Sequence, residues 1–141
     1  MNREALTEDI PFLVESMSNL VSHVQKTTND VYISNVEKQD SSNVEGMFNA
    51  LLQDNDSKIL INEYEGEKIG FIFGRVSKPF LPISKIKEIG LIEMCWVNHS
   101  HRKKGISRRL CEDLERWFIS KDLKYADLHY LVGNIEAENS W

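Results

Sequence analysis

Between Val97 and Leu110 the chain reads Val-Asn-His-Ser-His-Arg-Lys-Lys-Gly-Ile-Ser-Arg-Arg-Leu. Five of its 17 Lys and Arg residues (Arg102, Lys103, Lys104, Arg108 and Arg109) fall in this stretch. An apolar run from Ile89 to Val97 precedes it, and Ile106, Leu110, Leu114, Trp117 and Phe118 follow at helical spacing. The pattern is that of a strand, a basic loop and a helix start. The first turn of a helix already carries unpaired N–H groups and partial positive charge, so cations gathered there cost about a few tenths of a kcal/mol. An anion resting on those amides removes the conflict, as phosphates do at many strand–loop–helix junctions. Gly105 lets the backbone turn sharply or approach such a ligand closely. The chemistry on offer is phosphate binding, and the competing reading is a solvated basic loop. The glycine spacing fits neither the three-glycine dinucleotide fingerprint nor the Gly-Lys-Ser/Thr of a P-loop.

Elements on either side must hold this junction in place. Thr7 is expected to cap a helix whose apolar residues Ile10, Leu13, Val14, Met17, Leu20, Val21 and Val24 recur with a 3.6-residue period. Ser42 and Glu45 form a capping-box pattern ahead of a second helix carrying Val44, Met47, Phe48, Leu51 and Leu52. The period then changes to that of strands, over Lys58–Tyr64 and Lys68–Val76, joined by a hairpin at Glu65-Gly66-Glu67. A loop from Ser77 to Lys85 carries Pro79, Phe80, Leu81 and Pro82. A longer strand over Ile86–Val97 follows, then the basic loop, a helix to about Ser120, a strand over Tyr125–Val132 and the start of a helix from Asn134. The order ααβββαβα predicts an α/β fold with one mixed sheet. Its first three strands are antiparallel, and residues 86–132 form a right-handed parallel crossover. A basic loop at the carboxyl end of a crossover strand lies where open α/β sheets bind ligands.

Bulk properties narrow the class. A chain of 141 residues is one domain with a modest core. No apolar run reaches the roughly 20 residues of a membrane span and no signal-peptide core opens the chain, so a cytoplasmic location without membrane contact is expected. Cys95 and Cys111 fit buried thiols in a reducing compartment. His99 and His101 have no Cys/His cluster around them, which argues against a metal site. Residues 1–100 hold 9 Lys and Arg against 15 Asp and Glu, whereas residues 101–141 hold 8 against 7. An acidic front beside a basic pocket suits a cationic second substrate next to an anionic cofactor. It does not suit a nucleic-acid binder, which presents a broad basic face.

The element order and the segment Val97–Leu110 resemble the GNAT superfamily of acyl-CoA-dependent N-acyltransferases. Its Arg/Gln-x-x-Gly-x-Gly/Ala signature is matched by Arg102-Lys103-Lys104-Gly105-Ile106-Ser107, with Ser107 in place of Gly or Ala. Asn134-x-x-Ala137 resembles the family's Asn-x-x-Ala at the start of the next helix. The resemblance covers residues 58–141, as a sheet and acetyl-CoA-binding core, and reaches residues 1–57, the acceptor-side helices, by layout alone. It implies acetyl-CoA as co-substrate, with main-chain N–H groups from Arg102 to Ser107 holding the pyrophosphate. Main-chain groups of Cys95 and Val97 would pair with the pantetheine arm, and Asn134 would support the thiol end or serve only as a helix cap. Arg108 would reach a phosphate or stay solvated.

The reaction implied is direct attack of an amine on the thioester in a ternary complex. A protonated alkylamine, with a pKa of about 10, must first lose a proton, and the leaving thiolate gains one. Glu93, in an otherwise apolar strand and at the parity of Cys95 and Val97, is the candidate base. Burial there would raise its pKa; the alternative is an ion-paired surface residue. Where the family commonly places a tyrosine as acid, seven residues after the motif's Asn, this chain has Trp141. A water, Tyr32, Tyr130 or unassisted departure of the thiolate remain open as substitutes. Thr27–Ser41 and the Pro79/Pro82 loop would shape the acceptor pocket, with Tyr32 and Phe80 as contacts. The acceptor would be an amine of a small molecule or a protein. Two further strands usual in the family do not follow Trp141, which leaves an open edge on the last strand; a longer chain or a homodimer are the two ways open to cover it. A catalytically silent CoA-binding or regulatory module is the competing function.

Overall fold

A computed structural model describes residues 1–27, 40–79, 81 and 85–128. Within them, five strands form one mixed sheet in sequence order: β1 (Asn2–Glu4), β2 (Ser57–Tyr64), β3 (Glu67–Ser77), β4 (Ile89–Val97) and β5 (Ala126–Leu128). The β1–β2, β2–β3 and β3–β4 pairs are antiparallel, and β4–β5 is parallel, as the hairpin and crossover patterns predict. The β2–β3 hairpin closes on Glu65 and Gly66, both at positive φ (51° and 79°), which is a type I′ turn matched to strand twist.

Among the described residues three α-helices cover the sheet: α1 (Ile10–Thr27) and α2 (Ser41–Gln53) on one face, α3 (Ile106–Ser120) on the other. Ile10, Leu13 and Phe48 pack on Ile59, Ile61, Phe71, Phe73 and Trp96. Ile106, Leu110, Leu114 and Phe118 pack on Ile69, Ile72, Ile92 and Val97. The sheet carries glycine where α3 presses closest. A Cβ on Gly74 would lie 2.6 Å from Leu114, and one on Gly90 2.6 Å from the Phe118 ring.

Four sequence expectations are corrected. Strand β1, only three residues long, precedes the first helix. The entry to α1 is a 3-10 turn over Thr7–Asp9, and the capping acceptor is the Asp9 carboxylate, which takes the Leu6 N–H at 2.7 Å. Asp40, not Ser42, caps α2, accepting from Ser42 N–H at 3.0 Å. Strand β4 begins at Ile89 rather than Ile86.

Asp9 is fully buried and neutralised from two sides. Arg3 of β1 donates to its two oxygens at 2.7 and 2.8 Å, and Lys68 of β3 lies at 2.8 Å. Arg3 also donates through Nε to Glu63 of β2 at 2.9 Å. These hydrogen bonds hold the Asp9 carboxyl well below its usual pKa and push the Arg3 guanidinium above its own. The cluster fastens the short β1 strand and the start of α1 to the sheet.

Candidate active site at the bulged edge of β4

Strand β4 is irregular in its middle. Phe73 of β3 pairs with Met94, but the next residue, Gly74, pairs with Ile92, so Glu93 is an extra residue in a β-bulge. The bulge changes which face each side chain occupies. Gly74 and Gly90 face α3, so alternation turns Arg75 and Leu91 to the α1/α2 face. Glu93 joins Arg75 there, accepting from its Nε at 2.6 Å. Beyond the bulge, Met94 and Trp96 pack with the α1/α2 core, while Cys95 and Val97 pack with α3. The expectation that Glu93 shares a face with Cys95 and Val97 is therefore corrected: the inserted residue reverses the parity. Its surroundings differ too. The carboxylate is 30% exposed and ion-paired rather than sealed in an apolar strand.

The same strand offers backbone groups to a ligand. Asn98 N–H donates to Ile69 O of β3 at 2.8 Å. In an antiparallel ladder successive residues alternate between facing the partner strand and facing away. Trp96 thus directs its peptide groups to β3, and Cys95 and Val97 direct theirs to the other side. Strand β5 lies on that side, but among the described residues it pairs only with Gly90, Leu91 and Ile92. From Glu93 to Val97 the β4 edge meets no described strand, and it leads directly to the basic loop.

Loop geometry follows from two left-handed residues. Lys103 has φ 64° and Gly105 has φ 76° with ψ 15°, the latter serving as N-cap of α3. Gly105 has no side chain to cap the first turn, so the N–H groups of Ile106, Ser107 and Arg108 are presented without a capping partner. Ile106 contributes backbone only, since its side chain is buried under the sheet. Ser107 is half-buried, and Lys103 and Lys104 are exposed. Arg108 is also exposed, with Glu112 one turn on at 3.7 Å. Arg109 folds back over the loop and donates to Lys104 O at 3.3 Å. Arg102, half-buried, donates through Nε to Val97 O at 3.0 Å, and its guanidinium lies 4.5 Å from the centre of the Trp96 ring. His23 of α1 meets the same ring edge-on at 6.0 Å. Among the described residues the buried Trp96 indole N–H meets no hydrogen-bond partner.

An edge of outward peptide groups running into an uncapped, positively charged helix start can take an extended amide-containing chain followed by a phosphate group. Acetyl-CoA has this form, and the residues present fit it. Glu93, Cys95, Val97 and the segment Arg102–Arg108 are brought to one strand edge and its loop. Tyr32, Phe80 and Asn134, together with Tyr130 and Trp141, lie outside the described residues. Arg75 and the Trp96–Arg102 stack were not singled out in the sequence. Only the bulge brings Arg75 against Glu93, and no spacing rule announces it.

Both cysteines are free thiols. Burial pushes each up to about 12, with Cys111 adding to the effect on Cys95 and Glu115 adding to it on Cys111. Among the described residues, no group of three or more His, Cys, Asp or Glu is placed to hold a metal ion, and no helix is long and apolar enough to cross a membrane.

Comparison with solved structures places the fold. The tetramutant of the BH1408 protein from Bacillus halodurans superposes with a TM-score of 0.84 at 18% identity, over 99% of this chain and 88% of that one. The aminoglycoside 6'-N-acetyltransferase AAC(6')-IG from Acinetobacter haemolyticus gives 0.78 at 11% identity, over 99% and 86%. AAC(6')-Iy in complex with the bisubstrate analogue CoA-S-monomethyl-acetylneamine gives 0.80 at 14% identity, over 99% and 85%. No curated protein matches the sequence. The model of the acetyltransferase (GNAT) family matches residues 22–140, and the chain accordingly belongs to the GNAT acetyltransferase family.

Proposed function

We propose that the protein is an acetyl-CoA-dependent N-acetyltransferase that acetylates a primary amine by direct attack within a ternary complex. The observation that carries this reading is the β4 edge, where Cys95 and Val97 turn their peptide groups outward beside the Glu93 bulge and end at the uncapped start of α3. Peptide groups of Cys95 and Val97 hold the pantetheine arm, and the N–H groups from Arg102 to Ser107 hold the pyrophosphate. Glu93 accepts the proton of the incoming ammonium, directly or through one water, and so exposes the nitrogen lone pair. Its place at the bulge, one residue from the outward-facing edge, sets the base beside the carbonyl under attack.

Two relatives support a small-molecule acceptor, since both are aminoglycoside N-acetyltransferases, one of them bound to a bisubstrate analogue. Asn134 near the thiol, and Tyr32 and Phe80 on the acceptor, complete the proposed contacts.

The reading is tested by titrating acetyl-CoA into the protein in a calorimeter, with dephospho-CoA and ATP as controls, followed by an amine screen for CoA release. Micromolar binding selective for acetyl-CoA with amine-dependent turnover is the expected result. Selective binding without turnover on any amine would favour the silent CoA-binding module instead.

A further inference from the structure

Arg75 occupies a place that the transfer reaction does not require. It lies on β3 opposite Leu91, faces the α1/α2 side of the sheet, and donates to Glu93 Oε1 at 2.6 Å. The two side chains are 48% and 30% exposed, so the pair is open to a ligand on that side. We propose that Arg75 and Glu93 together select the acceptor: an amine that also carries a carboxylate close to the nitrogen, as in a free amino acid. This inference rests on the proposed role of Glu93 as the group that receives the acceptor's ammonium.

The selection follows from charge. An acceptor ammonium that reaches Glu93 comes within a few ångströms of a guanidinium already paired to it. Two like charges about 5 Å apart in a partly desolvated site repel strongly enough to weaken binding by tenfold or more. A plain alkylamine or a polycation meets that repulsion in full. An acceptor with its own carboxylate exchanges partners instead: its ammonium takes Glu93, and its carboxylate takes the planar donor fork of Arg75. Four alternating charges replace two, and no cation is left facing another. The acidic balance of the whole chain points toward cationic acceptors, but it acts at long range and is screened, whereas Arg75 acts at contact.

Paired acceptors differing only in the carboxylate separate these cases. Phenylalanine is compared with phenethylamine, and lysine with 1,5-diaminopentane, in steady-state assays of CoA release at saturating acetyl-CoA. The expected result is a kcat/KM at least tenfold higher for the member bearing the carboxylate, carried mainly by KM. Arg75→Gln should bring the two members of each pair to within about threefold, and Arg75→Lys should restore part of the preference. Equal or better use of the amines lacking a carboxylate, or a preference that survives Arg75→Gln, would overturn the inference. If no amine is turned over, the acetyl-transfer reading fails, but this inference is still decided. Calorimetric titration of the same four compounds into the protein saturated with CoA should then show the Arg75-dependent preference in binding, and its absence would refute the selection.

Discussion

The Nε of Arg102 donates to the main-chain oxygen of Val97 at 3.0 Å, while its guanidinium lies 4.5 Å from the centre of the Trp96 ring. One side chain thereby ties the basic loop to the last two residues of β4, at the strand's edge and on its α1/α2 face. Arginine suits the place because a planar cation can stack and donate at once, which an ammonium cannot. Arg102→Lys is expected to keep the charge but loosen the loop, weakening acetyl-CoA by about tenfold in a calorimetric titration. An unchanged affinity would mean that the loop holds its shape through backbone alone.

Gly105 separates conformation from charge. Its φ of 76° is costly for any residue with a Cβ, so Gly105→Ala should lose about 1 kcal/mol of stability in urea unfolding. A Cβ there meets nothing nearer than the Arg109 guanidinium at 3.4 Å, so cofactor binding should survive. Gly105→Glu adds a negative charge where the pyrophosphate is proposed to lie, and acetyl-CoA affinity should fall by a further factor of ten or more. Equal binding by the two variants would remove the phosphate from this loop.

Glu93→Gln keeps size and hydrogen-bonding capacity but removes the base. A loss of roughly 10²–10⁴ in kcat is expected, the range typical of general base removal, with acetyl-CoA affinity little changed. A kcat within threefold of wild type would assign proton removal to water or to another side chain.

The Asp9 cluster predicts an acid-sensitive fold. The folded-state pKa of Asp9 lies below its ordinary value of 3.8, chiefly through the hydrogen bond from Arg3. Its contribution is therefore complete above about pH 5 and is lost as the pH falls through the unfolded value toward the folded one. Asp9→Asn, which leaves Arg3 with Glu63 alone and takes the carboxylate from Lys68 at partly exposed positions, should cost about 1–3 kcal/mol at neutral pH. The variant's stability should vary less than the wild type's between pH 5 and pH 3, as measured by urea unfolding at each pH.

Close packing of α3 on the sheet gives a stability test away from the chemistry. A methyl at Gly74 would sit 2.6 Å from Leu114, so Gly74→Ala should destabilise by about 1–3 kcal/mol through overpacking. The melting temperature falls accordingly, and the double variant Gly74→Ala/Leu114→Ala should lose less than the sum of the two single variants.

Much of the fold was legible because its signals are local. The β-rich run Lys58–Tyr64, a Glu-Gly turn and the helical spacing from Ile106 to Phe118 each identify an element without reference to the rest of the chain. The basic loop at the β4–α3 junction was legible for the same reason, as charge and a glycine at fixed offsets. What escaped depends on partners distant in sequence. Strand β1 is three residues long and exists because Arg3 meets Asp9 and Glu63. The cap of α2 passed from Ser42 to Asp40, a choice between two good acceptors that spacing alone does not make. The face occupied by Glu93 depends on a register shift against β3, and a one-residue slip reverses every later side chain. Counting parity along an unbulged strand thus sets Glu93 beside Cys95, while the folded strand sets it beside Arg75.

The buried thiols bear on how turnover can be followed. Burial raises the pKa of Cys95 and Cys111 well above the ordinary thiol range, so little of either is thiolate at pH 8. A disulfide dye that turns yellow on meeting free thiolate will therefore register the sulfur released from acetyl-CoA ahead of the slower protein thiols. Colour that develops from protein alone, without cofactor, comes first from the half-buried Cys111, and a second equivalent reports opening of the layer between α3 and β4 around Cys95, so one reagent reads both the reaction and the integrity of the packing behind it.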